Sequence, residues 1–250
     1  MHVVTTTLWL PKKGNTDEEY EDAACPTERV EKKDVSVFRC AVADGATEAS
    51  FSRLWAKLLV EGFVEETDRA ELKKKWAGGV TKKELPWYAE QKAESGAYAA
   101  LVGLVLNDGD GGAPGGTWQA EALGDCCVIT VRDGQIMDKF PLTESEQFNS
   151  SPVLLSSNAD ETEAETKVEE MLHMEGTWQP GDVFYLLSDA IARWTYKRDE
   201  EHHDAPLWLK SMCKQKDIED WAEVQRALLD AESRPLLRND DVTMLRVELL

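Results

Sequence analysis

No stretch of this 250-residue chain approaches the roughly 18 or more consecutive apolar residues that a membrane helix needs. A basic-then-apolar leader is missing as well, so a cytoplasmic protein is the expectation. Basic residues are scarce. Lys and Arg number 28 against 48 Asp and Glu, for a formal charge of −20. Such a surface repels polyanions, which argues against nucleic acid and anionic membrane as partners. Cysteines number five, at irregular spacing and with Cys126 and Cys127 adjacent. Neither a disulfide framework nor a zinc ribbon reads that way, and reduced thiols are expected. The Gly-rich stretch from Asn107 to Gly116 lacks a following Gly-Lys-Ser/Thr and the spacing of a calcium loop, so it reads as a hairpin connection. His202-His203-Asp204 reads as a solvated loop, because three adjacent residues rarely face one ion.

Apolar residues make up 42% of the sequence, enough for one well-buried domain over residues 1–250. Val3 to Leu10 is rich in β-branched residues and predicts a strand. The acidic run Asp17 to Ala24 reads by itself as a solvated segment. Val35 to Ala43 predicts a second strand, ending at Asp44. Phe51, Leu54, Trp55, Leu58, Leu59 and Phe63 then recur at helical spacing, with Thr47 as N-cap and Glu48 in the first turn. Asp68 to Lys83 predicts surface helix and loop broken at Gly78-Gly79, and Pro86 can start another helix to about Ser95. Further strands are expected at 97–106, 117–123 and 126–131, with Asp133-Gly134 forming a type I′ turn after the last. Cys126 and Cys127 should then face opposite sides of their strand. Pro141 to Asp160 predicts a mobile loop, and 163–171 a helix. A strand over 183–187 ends at Ser188-Asp189, helices follow around 190–194, 207–213 and 218–229, and Val242 to Leu249 is the last strand. Strand clusters alternating with helix pairs predict an α+β fold, with antiparallel sheets covered by helices.

Four acids stand at ends of apolar strands: Asp44 before Gly45, Asp125 after Gly124, Asp189 after Ser188, and Asp240 before Asp241. An acid at a strand end is commonly a turn or cap residue. The other reading is that the four converge on cations. Two carboxylates about 4 Å apart repel by roughly 4 kcal/mol at an effective dielectric of 20, so a cluster of four calls for bound cations. Oxygen donors without His or Cys suit Mg²⁺ or Mn²⁺.

Asp44-Gly45-Ala46-Thr47, Gly124-Asp125, Leu187-Ser188-Asp189-Ala190 and Asp240-Asp241-Val242-Thr243 occur in the order seen in type-2C metal-dependent serine/threonine phosphatases, the PPM family. Tyr20-Glu21-Asp22-Ala23 resembles that family's early acidic element, and the match spans nearly the whole chain. The resemblance is to a divergent, bacterial-type member. It implies a four-layer α-β-β-α sandwich, two antiparallel sheets flanked by helices. It also implies a phosphoprotein phosphatase acting on phosphoserine or phosphothreonine by a metal-activated water at a binuclear Mg²⁺ or Mn²⁺ site. Carried over by position, Asp44 bridges the two ions and the Gly45 carbonyl binds the second. Asp189 and Asp240 hold the first, while Glu21 and Asp22 act through water. Asp125, with Asp189, holds a third, weaker ion. Asp241 is a secondary candidate.

Three positions depart from the family pattern. Asp17 stands where an Arg often grips substrate phosphate, leaving Lys12 or Lys13 as the expected substitutes, though neither has Arg's two-pronged geometry. Ala46 replaces a candidate acid His, so the leaving group would take its proton from water. Ala190 replaces a common Gly. Two other functions stay open: a catalytically silent, phosphatase-like binding or regulatory module, and a hydrolase of small phosphate esters.

Overall fold

The computed structural model describes residues 1–46, 51–81, 96–109, 115–148, 152–158 and 171–250. In chain order its strands are β1 (Val3–Leu10), β2 (Ala23–Cys25), β3 (Glu31–Lys32), β4 (Val37–Gly45), β5 (Tyr98–Asp108), β6 (Gly116–Leu123), β7 (Cys127–Arg132), β8 (Gln135–Phe140), β9 (Leu155–Ser156), β10 (Leu172–Trp178), β11 (Val183–Leu187) and β12 (Val242–Leu249). The helices are α1 (Ser52–Glu65), α2 (Arg69–Thr81), α3 (Asp189–Glu200), α4 (Ala205–Ser211) and α5 (Gln215–Ala227). One sheet runs β3-β1-β12-β11-β7-β8 and the other β10-β6-β5-β4-β2, with β9 added to β5. Every named pairing is antiparallel.

The period-two alternation of strands sorts the side chains into layers. Phe38, Cys40 and Val42 of β4 enter the core between the sheets, where they meet Leu186 of β11 and Leu245 of β12. Ala41 and Ala43 point the other way, onto Trp55 and Leu59 of α1 and Trp76 of α2. On the far side, Tyr185, Leu187 and Met244 pack under Ile191 and Trp194 of α3, Leu209 of α4 and Trp221 of α5. The result is the four-layer α-β-β-α sandwich. Cys126 lies in the core between the sheets and Cys127 under the helices, on opposite faces as expected. All five cysteines are free. No helix among the described residues is long and apolar enough to cross a membrane.

Several elements differ from expectation, each for a reason in the packing. The acidic run is not simply solvated: Asp17–Glu19 forms an exposed 3-10 turn, but Tyr20 and Asp22 are buried and Ala23–Cys25 pairs with β4. Helix α1 starts at Ser52, with Phe51 left-handed at its N-cap (φ 66°); Thr47 and Glu48 lie outside the described residues. Helix α2 runs through Gly78 and Gly79, because Leu72, Trp76 and Val80 form a buried stripe that spans them. Two glycines cost a helix about 1 kcal/mol each, less than burying that stripe contributes. Within the expected loop of 141–160, Ser145–Gln147 is a 3-10 turn and Leu155–Ser156 pairs with β5. The helix expected at 86–95, all but Met171 of the one expected at 163–171, and the tip of the hairpin between β5 and β6 lie outside the described residues; Met171 itself is not helical and leads directly into β10. Asp133 and Gly134 take positive φ angles of 51° and 79° in the turn joining β7 to β8, as a type I′ turn requires.

Candidate metal centre

Strand register brings the acids together. β2 pairs with β4 through Ala23↔Ala43, so the next position outward sets Asp22 opposite Asp44. Acids directly opposite on neighbouring strands are unfavourable unless something neutralises them. Asp44 pairs on its other side with Ala100 of β5. Gly124 reaches the same place with φ 95°, and a Cβ there would lie 2.5 Å from the Ala100 Cβ, so only glycine lets this turn carry Asp125 so close. In the other sheet, β11 and β12 lie side by side and deliver Asp189 and Asp240 from adjacent strand ends.

Burial and mutual repulsion set the electrostatics. Burial, then Asp22, Asp189, Asp125 and Asp240, hold the Asp44 carboxyl well above the usual carboxylate range. Burial and the nearby Asp241 push Asp22 up to about 8. Asp189 rises to about 7 through burial, Asp125 and Asp240. Asp125 rises to about 6, chiefly through burial. The five acids therefore share one electrostatic neighbourhood, supplied by four strand ends and the segment before β2.

Neighbouring groups hold the acids in place. Thr243 Oγ1 donates to Asp22 Oδ2 at 2.6 Å, and the Tyr20 hydroxyl in turn bonds Thr243 Oγ1. Ser52 Oγ donates to Glu21 Oε1 at 2.6 Å, tying the head of α1 to the early acidic element. Gly45 sits in that junction, where a Cβ would lie 2.7 Å from the Glu21 carbonyl oxygen. Asp241 accepts two backbone N–H groups, from Lys12 at 2.8 Å and Glu21 at 2.7 Å. It joins the turn after β1, the early acidic element and the head of β12. Thr243 N donates to Ser188 Oγ at 2.9 Å, locking β12 to the start of α3.

Whether this set suits a divalent cation can be judged from its own atoms. Asp22 Oδ1 and Asp189 Oδ1 are buried with no hydrogen-bond partner among the described residues. A buried carboxylate oxygen in that state needs a proton or a cation. The donors are all oxygens, which fits hard ions. Among the described residues, no three or more His, Cys, Asp or Glu side chains are already grouped to hold an ion.

Lys12 and Lys13 border the site through the Asp241 junction. Their side chains line a cleft of about 590 Å³ with Glu219, Glu223, Arg226 and Asn239, which none of the five acids lines. The Lys12 charge does lower the Asp241 pKa. Three arginines escaped the sequence reading. Arg53 of α1 donates to the carbonyls of Asp17 and Glu18 at 2.8 and 3.0 Å. Arg238 stands 3.8 Å from Asp189 Oδ2, and Arg193 follows Asp189 by one turn of α3. The Ser52, Thr243 and Arg238 contacts join residues distant in sequence, so no local spacing signals them. His202 and His203 lie in an exposed turn, and Asp204 caps α4 by accepting from Leu207 N at 3.2 Å.

No family model and no curated protein matches the sequence. Solved structures do match the fold. The serine/threonine phosphatase PstP/Ppp of Mycobacterium tuberculosis superposes with a TM-score of 0.60 at 14% identity, covering 100% of this chain and 99% of that one. The PstP catalytic domain in complex with two manganese ions gives 0.57 at 14% identity, covering 99% of each chain. The S. agalactiae serine/threonine phosphatase gives 0.54 at 13%, covering 99% of this chain and 100% of that one. The fold is that of PPM-type serine/threonine phosphatases, in agreement with the resemblance in the motifs.

Proposed function

We propose that residues 1–250 form one phosphatase-like domain, a divergent, cytosolic PPM-type enzyme that hydrolyses phosphoserine or phosphothreonine monoesters in protein substrates with Mg²⁺ or Mn²⁺. The observation that carries this reading is the strand register that sets Asp22 opposite Asp44 and brings Asp189 and Asp240 to adjacent strand ends, with Asp22 Oδ1 and Asp189 Oδ1 buried and unpartnered among the described residues. Asp44, Asp189, Asp240 and the Gly45 carbonyl would hold the ions, with Glu21 and Asp22 alongside and Asp125 beside Asp189. Bound there, the ions would polarise the phosphoryl group and lower the pKa of the attacking water. Ser52 and Thr243 orient Glu21 and Asp22 for that role. Position 46 is alanine, so the leaving oxygen takes its proton from water.

Hydrolysis of p-nitrophenyl phosphate and of a phosphothreonine peptide should appear with Mn²⁺ and vanish with chelator. It should fall at least about 100-fold in Asp44→Asn, the order expected when a group central to electrostatic stabilisation is lost. Undiminished turnover by that variant would overturn the reading. The silent binding module stays as the second reading, motivated by Asp17 at the place of the phosphate-gripping Arg. Calorimetric metal binding with no turnover of any phosphopeptide would select it.

A further inference from the structure

An arginine that often grips substrate phosphate in this fold family is replaced here by Asp17, and the lysines suggested by sequence line a cleft on the Asp241 side. A different basic group borders the acids. Arg238 is anchored by its Nη2, which donates to the Phe148 carbonyl at 3.1 Å. That carbonyl is itself fixed. Phe148 packs edge-on against Tyr196 of α3 at 5.3 Å, and the N–H and Oγ of Ser145 both donate to Glu200. The Arg238 Nη1 lies 3.8 Å from Asp189 Oδ2, beyond hydrogen-bond reach, and the side chain is 39% exposed. The guanidinium is thus held beside the acids while its remaining N–H groups can still take an anion.

Arg193 lies on the helix that Asp189 begins, one turn further on. Four residues after Asp189, it shares that residue's face of α3. It is half-buried and makes no hydrogen bond or ion pair among the described residues. Its neighbours include Arg238 and Arg234, which repel it, and Asp189 and Asp230, which attract it. Asp230 is already engaged by Lys197 at 2.9 Å and Arg234 at 3.2 Å. Without cations the carboxylates themselves offset the two guanidinia. Once cations occupy those carboxylates, an anion sitting between the cations and the arginines would satisfy both.

We propose that Arg193 and Arg238 form the phosphate-binding pair of this chain, gripping the phosphoryl oxygens of a phosphomonoester from the α3 side of the acid cluster. The pair rests on the phosphatase reading for its substrate, and its binding role can be measured separately. A guanidinium presents paired donors that match phosphate oxygens, which neither Lys12 nor Lys13 can do.

The test uses the full chain saturated with Mg²⁺ and inorganic phosphate as the probe, followed by calorimetry. Arg193→Ala and Arg238→Ala should each weaken phosphate binding about tenfold or more, the size expected for losing a charged hydrogen bond. Mg²⁺ affinity, measured without phosphate, should hold or rise, because a positive charge beside Asp189 has gone. Arg193→Lys and Arg238→Lys keep the charge and guard against misfolding; both should retain part of the binding. Arg53→Ala should leave phosphate binding unchanged. Unaltered phosphate affinity in both alanine variants overturns the proposal, as does weakening that follows only from lost Mg²⁺. If the wild type binds phosphate through this pair yet hydrolyses no phosphopeptide, the pair stands and the enzyme reading falls. If turnover is normal and the variants match it in KM, the pair falls and the enzyme reading stands.

Discussion

Asp241 shows how one side chain can tie three segments of backbone together. Its two oxygens each accept a backbone N–H, from Lys12 and from Glu21. Burial raises its carboxyl pKa and those two bonds oppose the rise, so the charge is held by peptide dipoles. Replacing it with alanine leaves two N–H groups to find new partners at a buried junction. Asp241→Ala should therefore lose about 2–4 kcal/mol of stability in urea unfolding, with each orphaned donor costing about 1–2 kcal/mol. Asp241→Asn keeps one acceptor oxygen and should lose about half as much. The motif Asp240-Asp241-Val242-Thr243 marks this place in the sequence. The division of labour, with Asp240 facing the acids and Asp241 tying the backbone, comes from the fold.

At the scale of elements, apolar periodicity located β1 and β12 at their observed bounds and placed β11 over Val183–Leu187. It was less informative where two local rules conflicted. Gly78-Gly79 reads as a helix break, yet α2 continues because Leu72, Trp76 and Val80 bury one face. That leaves a removable weakness. A Cβ at Gly78 would meet nothing within 4 Å, whereas one at Gly79 would stand 3.0 Å from Leu54 Cδ2. Gly78→Ala should accordingly raise the thermal midpoint, by about 0.5–1 kcal/mol of stability, without changing activity. Gly79→Ala should give less, since Leu54 must move. The short strands β2, β3 and β9 carry too few residues for a period to show.

For the whole molecule, the acid cluster couples stability to pH and to cations. Asp22, Asp189 and Asp125, raised to about 8, 7 and 6, all prefer the protonated form when folded. A carboxyl raised on folding stabilises the fold fully below its unfolded value near 3.8, and that contribution is lost as pH climbs to the folded value. Chelator-treated protein should therefore melt at progressively lower temperature from about pH 5 to pH 8. Mg²⁺ should remove most of that slope, and Asp44→Asn should raise the metal-free melting temperature at pH 8. A flat melting curve over this range would mean that the acids do not interact as described. Function and stability thus pull against each other at one end of the sandwich, as is common where charge is concentrated for use.

The sequence by itself determined the α+β class, the main strands, and four of the five acids as strand-end residues. These follow from local period and from motifs read within a few positions. It also marked Asp22, through the early acidic element. Only the tertiary structure decided that Asp22 lies across from Asp44, that Thr243 and Ser52 hold Asp22 and Glu21, and that Arg238 stands beside Asp189. Those relations are set by strand register and sheet order across separations of up to 221 residues, as between Asp22 and Thr243. Periodicity specifies which face a residue takes; packing of the two sheets decides what that face meets.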